Sequence, residues 1–557
     1  MRSTLIWILL VITSSSLSGA AQAARPANNP SLPAILDYIS SSWGELTRST
    51  TTCTALTDVK ITQAPLLYLP ADFPIPAELA SITKTCNVRV QHLPFRITGP
   101  GQVKTNAIEP PGLLFLPNPY VVPGGRFNEM YGWDSYFIIR GLLQGGKIDL
   151  ARGMVENFFF EIEHYGTVLN ANRTYYLTRS QPPFLTSMIL AVYQAEKARG
   201  QANRSWLAKA YSYASRDYQM WTQAPHLAGT TGLSRYYDFG EGPVVEGLHQ
   251  ETGYYHDVLA YFLRNHQLGS PYVTESNHSD SPAYPQYSLQ LCEDKSAPSA
   301  KNCEQLKFVA LSPEYYKGDR AMRESGFDIT FRFGPYGSDT QRYAPVCLNS
   351  LLYKTETDLE QISLWLGDKL EAARWRKRAL TRRKMIQALL WNPERGLYFD
   401  YDFQARKQSS YLYATTFYPL WVGIATPAQV RAIVQNLKLF EHQGGLAMSR
   451  QDTGVQWDYP YGWAPIELLA VEGLRRYGYT VEADRISAEF LSMVLANFQR
   501  DGTIREKYNV VTDSSNIQVA EGYRSNVIGF GWTNGVFLVL LDKLPQSSAQ
   551  GLNTRPN

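Results

Sequence analysis

From about residue 125 onward the sequence is a series of helix-length segments with apolar residues three and four apart, and this series limits the fold more than any other feature. The segments read LARGMVENFFFEIEHYG, PPFLTSMILAVYQAEKARG, HDVLAYFLRNH, LNSLLYKTETDLEQISLWLG, EAARWRKRALTRRKMIQALLW, PAQVRAIVQNLKLF, APIELLAVEGLRRYG, EADRISAEFLSMVLANFQRDG and TNGVFLVLLDKL. Long loops rich in Gly, Pro, Tyr and Trp separate many of them, and no polar linker divides the series. Loops of that length in a compact domain are functional or disordered, and these are too aromatic for disorder. The pattern predicts an all-α fold, a toroid of paired helices with its loops gathered at one end. No short-period repeat points to a solenoid.

Charge excludes one class of partner: 53 Lys+Arg stand against 50 Asp+Glu, with no basic block of the kind that tracks nucleic acid. The stretch RWRKRALTRRK alternates basic with apolar residues and reads as a solvated outer helix. At the N-terminus, Arg2, the apolar run from Leu5 to Ile12 and small residues ending Ala21-Gln22-Ala23 predict a signal peptide over 1–23, hence a periplasmic or secreted protein. No later segment has eighteen uninterrupted apolar residues, so no membrane partner is expected after cleavage. Residues 24–95, rich in Pro and Thr, are expected to wrap the outside of a catalytic domain at 96–545, followed by a polar tail at 546–557. A monomer is expected.

Export permits disulfides. Cys292 and Cys303 flank a polar turn and are expected to pair, as are Cys53 and Cys86, leaving Cys347 as a buried thiol. Neither Cys nor His residues have a metal-ligand spacing, so no metal or other cofactor is expected. Of the sequons at Asn172, Asn203 and Asn277, the first lies in an aromatic loop that reads as sugar-facing, where coincidence is the better explanation.

Aromatic residues make up 13% of the chain, more than a core needs when the tips of 36 Tyr and 12 Trp must also be satisfied. An aromatic, acid-bearing pocket without a metal suggests glycoside hydrolysis, which uses two carboxyl groups. The acids embedded in Gly/aromatic/Arg loops are Asp134 in YGWDSYF, Asp328 in RESGFDITFRFG, Asp458 in QWDYPYGWAP and Glu506 in IREKYNV. Each also suits a helix cap or a satisfied loop carboxylate.

PGGRFNEMYGWDSYF closely resembles the first signature of the α,α-trehalase family of glycoside hydrolases, and QWDYPYGWAP resembles the second. NRTYYLTRSQPP, ESGFD, EKY and GFGWTNGV resemble the family's other blocks, in the family's order. The resemblance spans roughly residues 110–540. It implies an (α/α)6 barrel that hydrolyses α,α-trehalose to two glucose molecules with inversion, Asp328 acting as general acid and Glu506 as general base. It also implies sugar-holding roles for Arg126, Trp133, Asp134, Asn170, Arg179, Gln181, Glu246, Trp457 and Asp458.

The departures bear on substrate. Where the family carries an Arg-Pro-Glu run, this chain has Val244, Val245 and Glu246, so one pocket Arg is missing. Arg323, Arg332 and Arg524 are the candidates to replace it. Cys347 stands where the family block PVDLN has an Asp, and Glu521 is the candidate for the lid's acidic residue. Three alternatives stay open: an inverting hydrolase of another small α-glucoside, a silent sugar-binding protein on the same barrel, and a polysaccharide lyase on a similar toroid.

Overall fold

The computed structural model describes residues 31–56, 65–104, 107–246, 253–269, 271–276, 289–292, 306–519 and 525–553. Among them, six helices form an inner ring: Asp134–Gln144, Leu185–Ala198, Val346–Trp365, Tyr418–Val422, Ala464–Arg476 and Gly531–Lys543. Each packs on the next, and the last returns to the first. Ser31–Glu45, Ile148–His164, Arg204–Trp221, Lys369–Leu389, Pro427–Gln435 and Thr480–Asp501 lie around them, completing an (α/α)6 barrel. Side-chain pattern sorts the two layers. Ala464–Arg476 buries almost every residue from Ala464 to Leu474, as a helix that is apolar all round must, whereas Thr480–Asp501 alternates buried and exposed positions at helical spacing.

The ring closes between its first and last helices through two glycines. A Cβ on Gly141 would lie 2.4 Å from Gly535 Cα, and one on Gly535 would lie 2.2 Å from the Phe137 carbonyl oxygen. Only residues without side chains let these backbones touch. Near the opposite ends of the inner helices from the loops, Glu472 gathers four of them. It accepts hydrogen bonds from Arg140 Nη2 at 2.7 Å, Lys543 Nζ at 2.6 Å and Trp421 Nε1 at 2.9 Å.

Two small units flank the barrel. In one, strands Leu66–Leu69, Arg89–His92 and Leu113–Leu114 form a parallel sheet crossed by helix Ala77–Thr85, and Cys53 is bonded to Cys86. The other contains helix Tyr254–Arg264 and antiparallel strands Val273–Ser276, Leu306–Leu311 and Leu289–Cys292, with its own core around Tyr255, Tyr315 and Val244. The segment HDVLAYFLRNH therefore belongs to this flanking unit and not to the ring. Cys292 ends a strand, while its expected partner Cys303 lies outside the described residues. Residues 546–550, read as the start of a polar tail, form helix Gln546–Gln550. With Ala549 and Leu552 buried, this end of the chain packs on Thr480–Asp501. No helix among the described residues is long and apolar enough to cross a membrane.

Candidate active site

The loops that enter the inner helices converge over one mouth of the ring. They build a pocket from Arg126, Phe127, Tyr131, Trp133, Asp134, Asn170, Tyr176, Arg179, Gln181, Glu246, Arg323, Asp328, Gln456, Trp457, Trp463, Glu506, Phe530 and Trp532, with Pro123 and Gly326. Ten residues expected at a sugar site thus lie together, including Asp328 and Glu506, 178 positions apart in the chain.

Asp458 does not join them. It is fully buried below the pocket, where its carboxylate accepts from Thr330 Oγ1 at 2.8 Å, Phe331 N at 2.9 Å and Thr453 Oγ1 at 2.7 Å. It fastens the second signature to the turn after Asp328, a structural task that the motif's polarity had concealed.

Short-range hydrogen bonds stitch the pocket loops to each other. Gln181 Oε1 accepts from Trp133 N at 3.0 Å, Asn170 O accepts from Gly132 N at 3.1 Å, and Arg179 donates to both Asn170 Oδ1 and Glu246. Glu324 ties the loop of the acid to two others, accepting from Ser180 N at 3.3 Å and Tyr237 N at 2.7 Å beside the buried His226. Gly326 has φ +74°, and a Cβ there would meet the Trp133 ring at 2.9 Å, so glycine is what lets Asp328 follow so closely. The wall behind is aromatic: Trp457 and Trp463 stack 3.8 Å apart, with Trp133 and Trp532 edge-on to each other. Trp463, Trp532, Phe530 and Gln456 were not singled out in the sequence, although each lies within a motif that resembles the family.

Electrostatics divide the acids. Burial pushes the Asp134 carboxyl well above its ordinary range, and the charges of Glu506 and Asp328 push it further. A carboxyl accepts through either oxygen and donates when protonated, which suits a pair of sugar hydroxyls. Burial works against ionisation of Glu246 too, but the charges of Arg179 and Arg323 prevail and hold its pKa below the usual value.

The missing Arg leaves an identifiable arrangement. Val244 is buried in the flanking core, its N–H donating to Tyr255 Oη at 2.9 Å. Of the three replacement candidates, Arg323 lines the pocket. Its Nε donates to Asp319 Oδ1 at 3.2 Å and its guanidinium lies 5.3 Å from the Tyr254 ring centre. Arg332 lies elsewhere, fully buried and bidentate to Asp400 at 2.6 and 2.7 Å, with Cys347 Sγ 3.6 Å away. Asp400 thus supplies a carboxylate beside Cys347. Arg524 and Glu521 lie outside the described residues.

A family model described as Trehalase matches residues 100–545. The chain is 36% identical over 544 residues to a cytosolic neutral trehalase of Saccharomyces cerevisiae, covering 88% of this chain and 67% of the relative. It is 37% identical to the corresponding protein of Beauveria bassiana, covering 78% and 60%. The chain belongs to the trehalase family. A solved structure of the Saccharomyces cerevisiae neutral trehalase aligns with a TM-score of 0.75 at 33% identity, over 94% of this chain and 96% of that one. The chain spans about two thirds of the length of these curated fungal relatives. Their cytosolic naming overturns the export reading: the signal peptide and the periplasmic or secreted location are withdrawn. A short apolar run before small residues is too weak a pattern to outweigh relatives that match most of the chain. The residues in question, 1–23, lie outside those described.

Proposed function

We propose that this trehalase-family chain hydrolyses α,α-trehalose by single-displacement inversion. The observation that carries the reading is the convergence of Asp328 and Glu506 on one aromatic pocket, where Asp134 feels the charge of both. Asp328 would give its proton to the glycosidic oxygen as the C–O bond breaks. Glu506 would take a proton from water attacking the anomeric carbon from the opposite face, so that one glucose leaves as the α and the other as the β anomer. Asn170, Arg179, Gln181 and Glu246 would hold sugar hydroxyls through charge-assisted and neutral hydrogen bonds, with Asp134 as a further partner. Arg323, which lines the pocket and acts on Glu246, supports trehalose over another small α-glucoside. We further propose that the catalytic domain comprises residues 96–545 together with helix Ser31–Glu45, which completes the outer layer of the barrel, and that the enzyme is a monomer.

Proton NMR of freshly mixed protein and trehalose tests this. Equal early α- and β-glucose, lost in Asp328→Asn and Glu506→Gln, is expected. Trehalose left intact by the wild-type protein would refute it.

A further inference from the structure

We propose that Lys507 is a positioning residue for the base: its ammonium orients the Glu506 carboxylate and keeps it in the form that accepts a proton from water. This rests on the reading of Glu506 as the base. Lys507 follows Glu506 in sequence, yet its side chain turns back beside it and has no exposure to solvent. An ammonium has three donors, and hydrogen bonds to the protein place two of them. Nζ donates to Glu506 Oε2 at 3.0 Å and to the Ser525 carbonyl oxygen at 3.2 Å, and it stands 5.3 Å from the centre of the Trp463 ring, which is itself stacked on Trp457. Two hydrogen bonds and the Trp463 ring therefore hold the cation beside the carboxylate.

The backbone holds the same assembly together. Glu506 N donates to Val527 O at 3.0 Å, and Asn526 is paired with Lys507 in both directions, accepting from its N–H at 3.2 Å and donating to its carbonyl at 2.9 Å. Ser525 is shared by two cations: Arg126 Nη1 donates to its hydroxyl at 3.0 Å while Lys507 holds its carbonyl. The segment 525–527 is thereby joined to the base.

Other titratable and charged groups also face Glu506. Asp134 enters from the first inner helix and Asp328 from the loop after helix Pro313–Glu324. Arg126 comes from the entrance loop, where it is exposed and its charge is screened by water. Lys507 is the fully buried cation in contact with the Glu506 carboxylate. Burial draws the Lys507 pKa below its ordinary value, and the Glu506 carboxylate opposes that shift.

The test is the pH dependence of kcat/KM for trehalose in wild type, Lys507→Gln, Lys507→Met and Lys507→Arg, with circular dichroism and thermal unfolding to establish that each is folded. Gln keeps a donor for Ser525 without the charge, Met keeps only the apolar stem, and Arg keeps the charge. In the Gln and Met variants the acidic limb should rise by about one pH unit or more, the size of shift that an opposite charge at contact produces. Below that limb kcat should fall about tenfold per unit, while KM changes little and Lys507→Arg keeps the limb near its wild-type position. A lysine that served packing alone would lower activity equally at every pH. Trehalose turnover by wild type with an unmoved acidic limb in Lys507→Gln or Lys507→Met overturns the proposal by itself. A wild-type protein that leaves trehalose intact removes the reading of the site, and this proposal with it.

Discussion

Replacing Glu472 with Gln should loosen the barrel at the end away from the pocket, by an amount and over a pH range set by its partners. Glu472 is 14% exposed and binds Arg140 of the first inner helix, Lys543 of the last and Trp421 of the fourth. Burial alone would raise its pKa, but Arg140 and then Lys543 reverse that and hold it at about 2, against an ordinary value of 4.5. A difference of about 2.5 units corresponds to about 3 kcal/mol of folded-state stabilisation. That is similar to the several kcal/mol lost when one partner of a buried ion pair is removed. Because the folded pKa lies below the unfolded one, the contribution is complete above about pH 4.5 and disappears as pH falls towards 2. Urea unfolding of wild type and Glu472→Gln, followed by tryptophan fluorescence at pH 7, 4 and 3, measures it. The two proteins should differ by about 3 kcal/mol at pH 7 and converge on acidification. A difference below about 1 kcal/mol at pH 7, or one that does not shrink at pH 3, would refute the assignment of Glu472 as the clasp of the ring.

Gly535→Ala places a methyl 2.2 Å from the Phe137 carbonyl oxygen, so the seam must open. A loss of about 1–3 kcal/mol or more is expected in thermal unfolding, and an unchanged Tm would contradict the backbone contact. Asp217→Asn should stabilise the protein. Burial raises this carboxyl from 3.8 to about 7, so wild-type stability falls as pH rises between those values. The Asn variant escapes that cost, gaining on the order of 4 kcal/mol by pH 8, and a pH-independent difference would count against it. Arg323→Gln should cost about 1.5–3 kcal/mol in kcat/KM for trehalose, roughly 10- to 150-fold, with Tm measured alongside because Arg323 also binds Asp319. Unchanged kcat/KM would show that the pocket does not use the Arg323 cation.

What could be read from the sequence follows from what each layer of the barrel demands of its side chains. Long helices such as Thr480–Asp501 and Val346–Trp365 stand out because a face buried over five or six turns leaves an apolar period. Arg204–Trp221 escaped notice because its buried stripe is Trp206, Leu207, Ala210, Ala214, Tyr218 and Trp221, small residues and polar-tipped rings that an apolar count passes over. Tyr418–Val422 is only five residues long, too short for any period, and becomes a ring member through the neighbours it touches. HDVLAYFLRNH has as clear a period as the barrel helices, because burial against a flanking sheet selects the same pattern as burial in the ring. The site was legible where chemistry needs unusual neighbours in one short stretch, as in YGWDSYF or ESGFD. Asp458 was misplaced because a carboxylate that fastens a loop and one that holds a sugar are both surrounded by aromatic and hydroxyl groups. Only the direction in which the side chain points separates them. Lys507 was hidden for the same reason. Its place beside Glu506 in EKY says nothing of burial, and the return of residues 525–527 past it is what encloses its side chain.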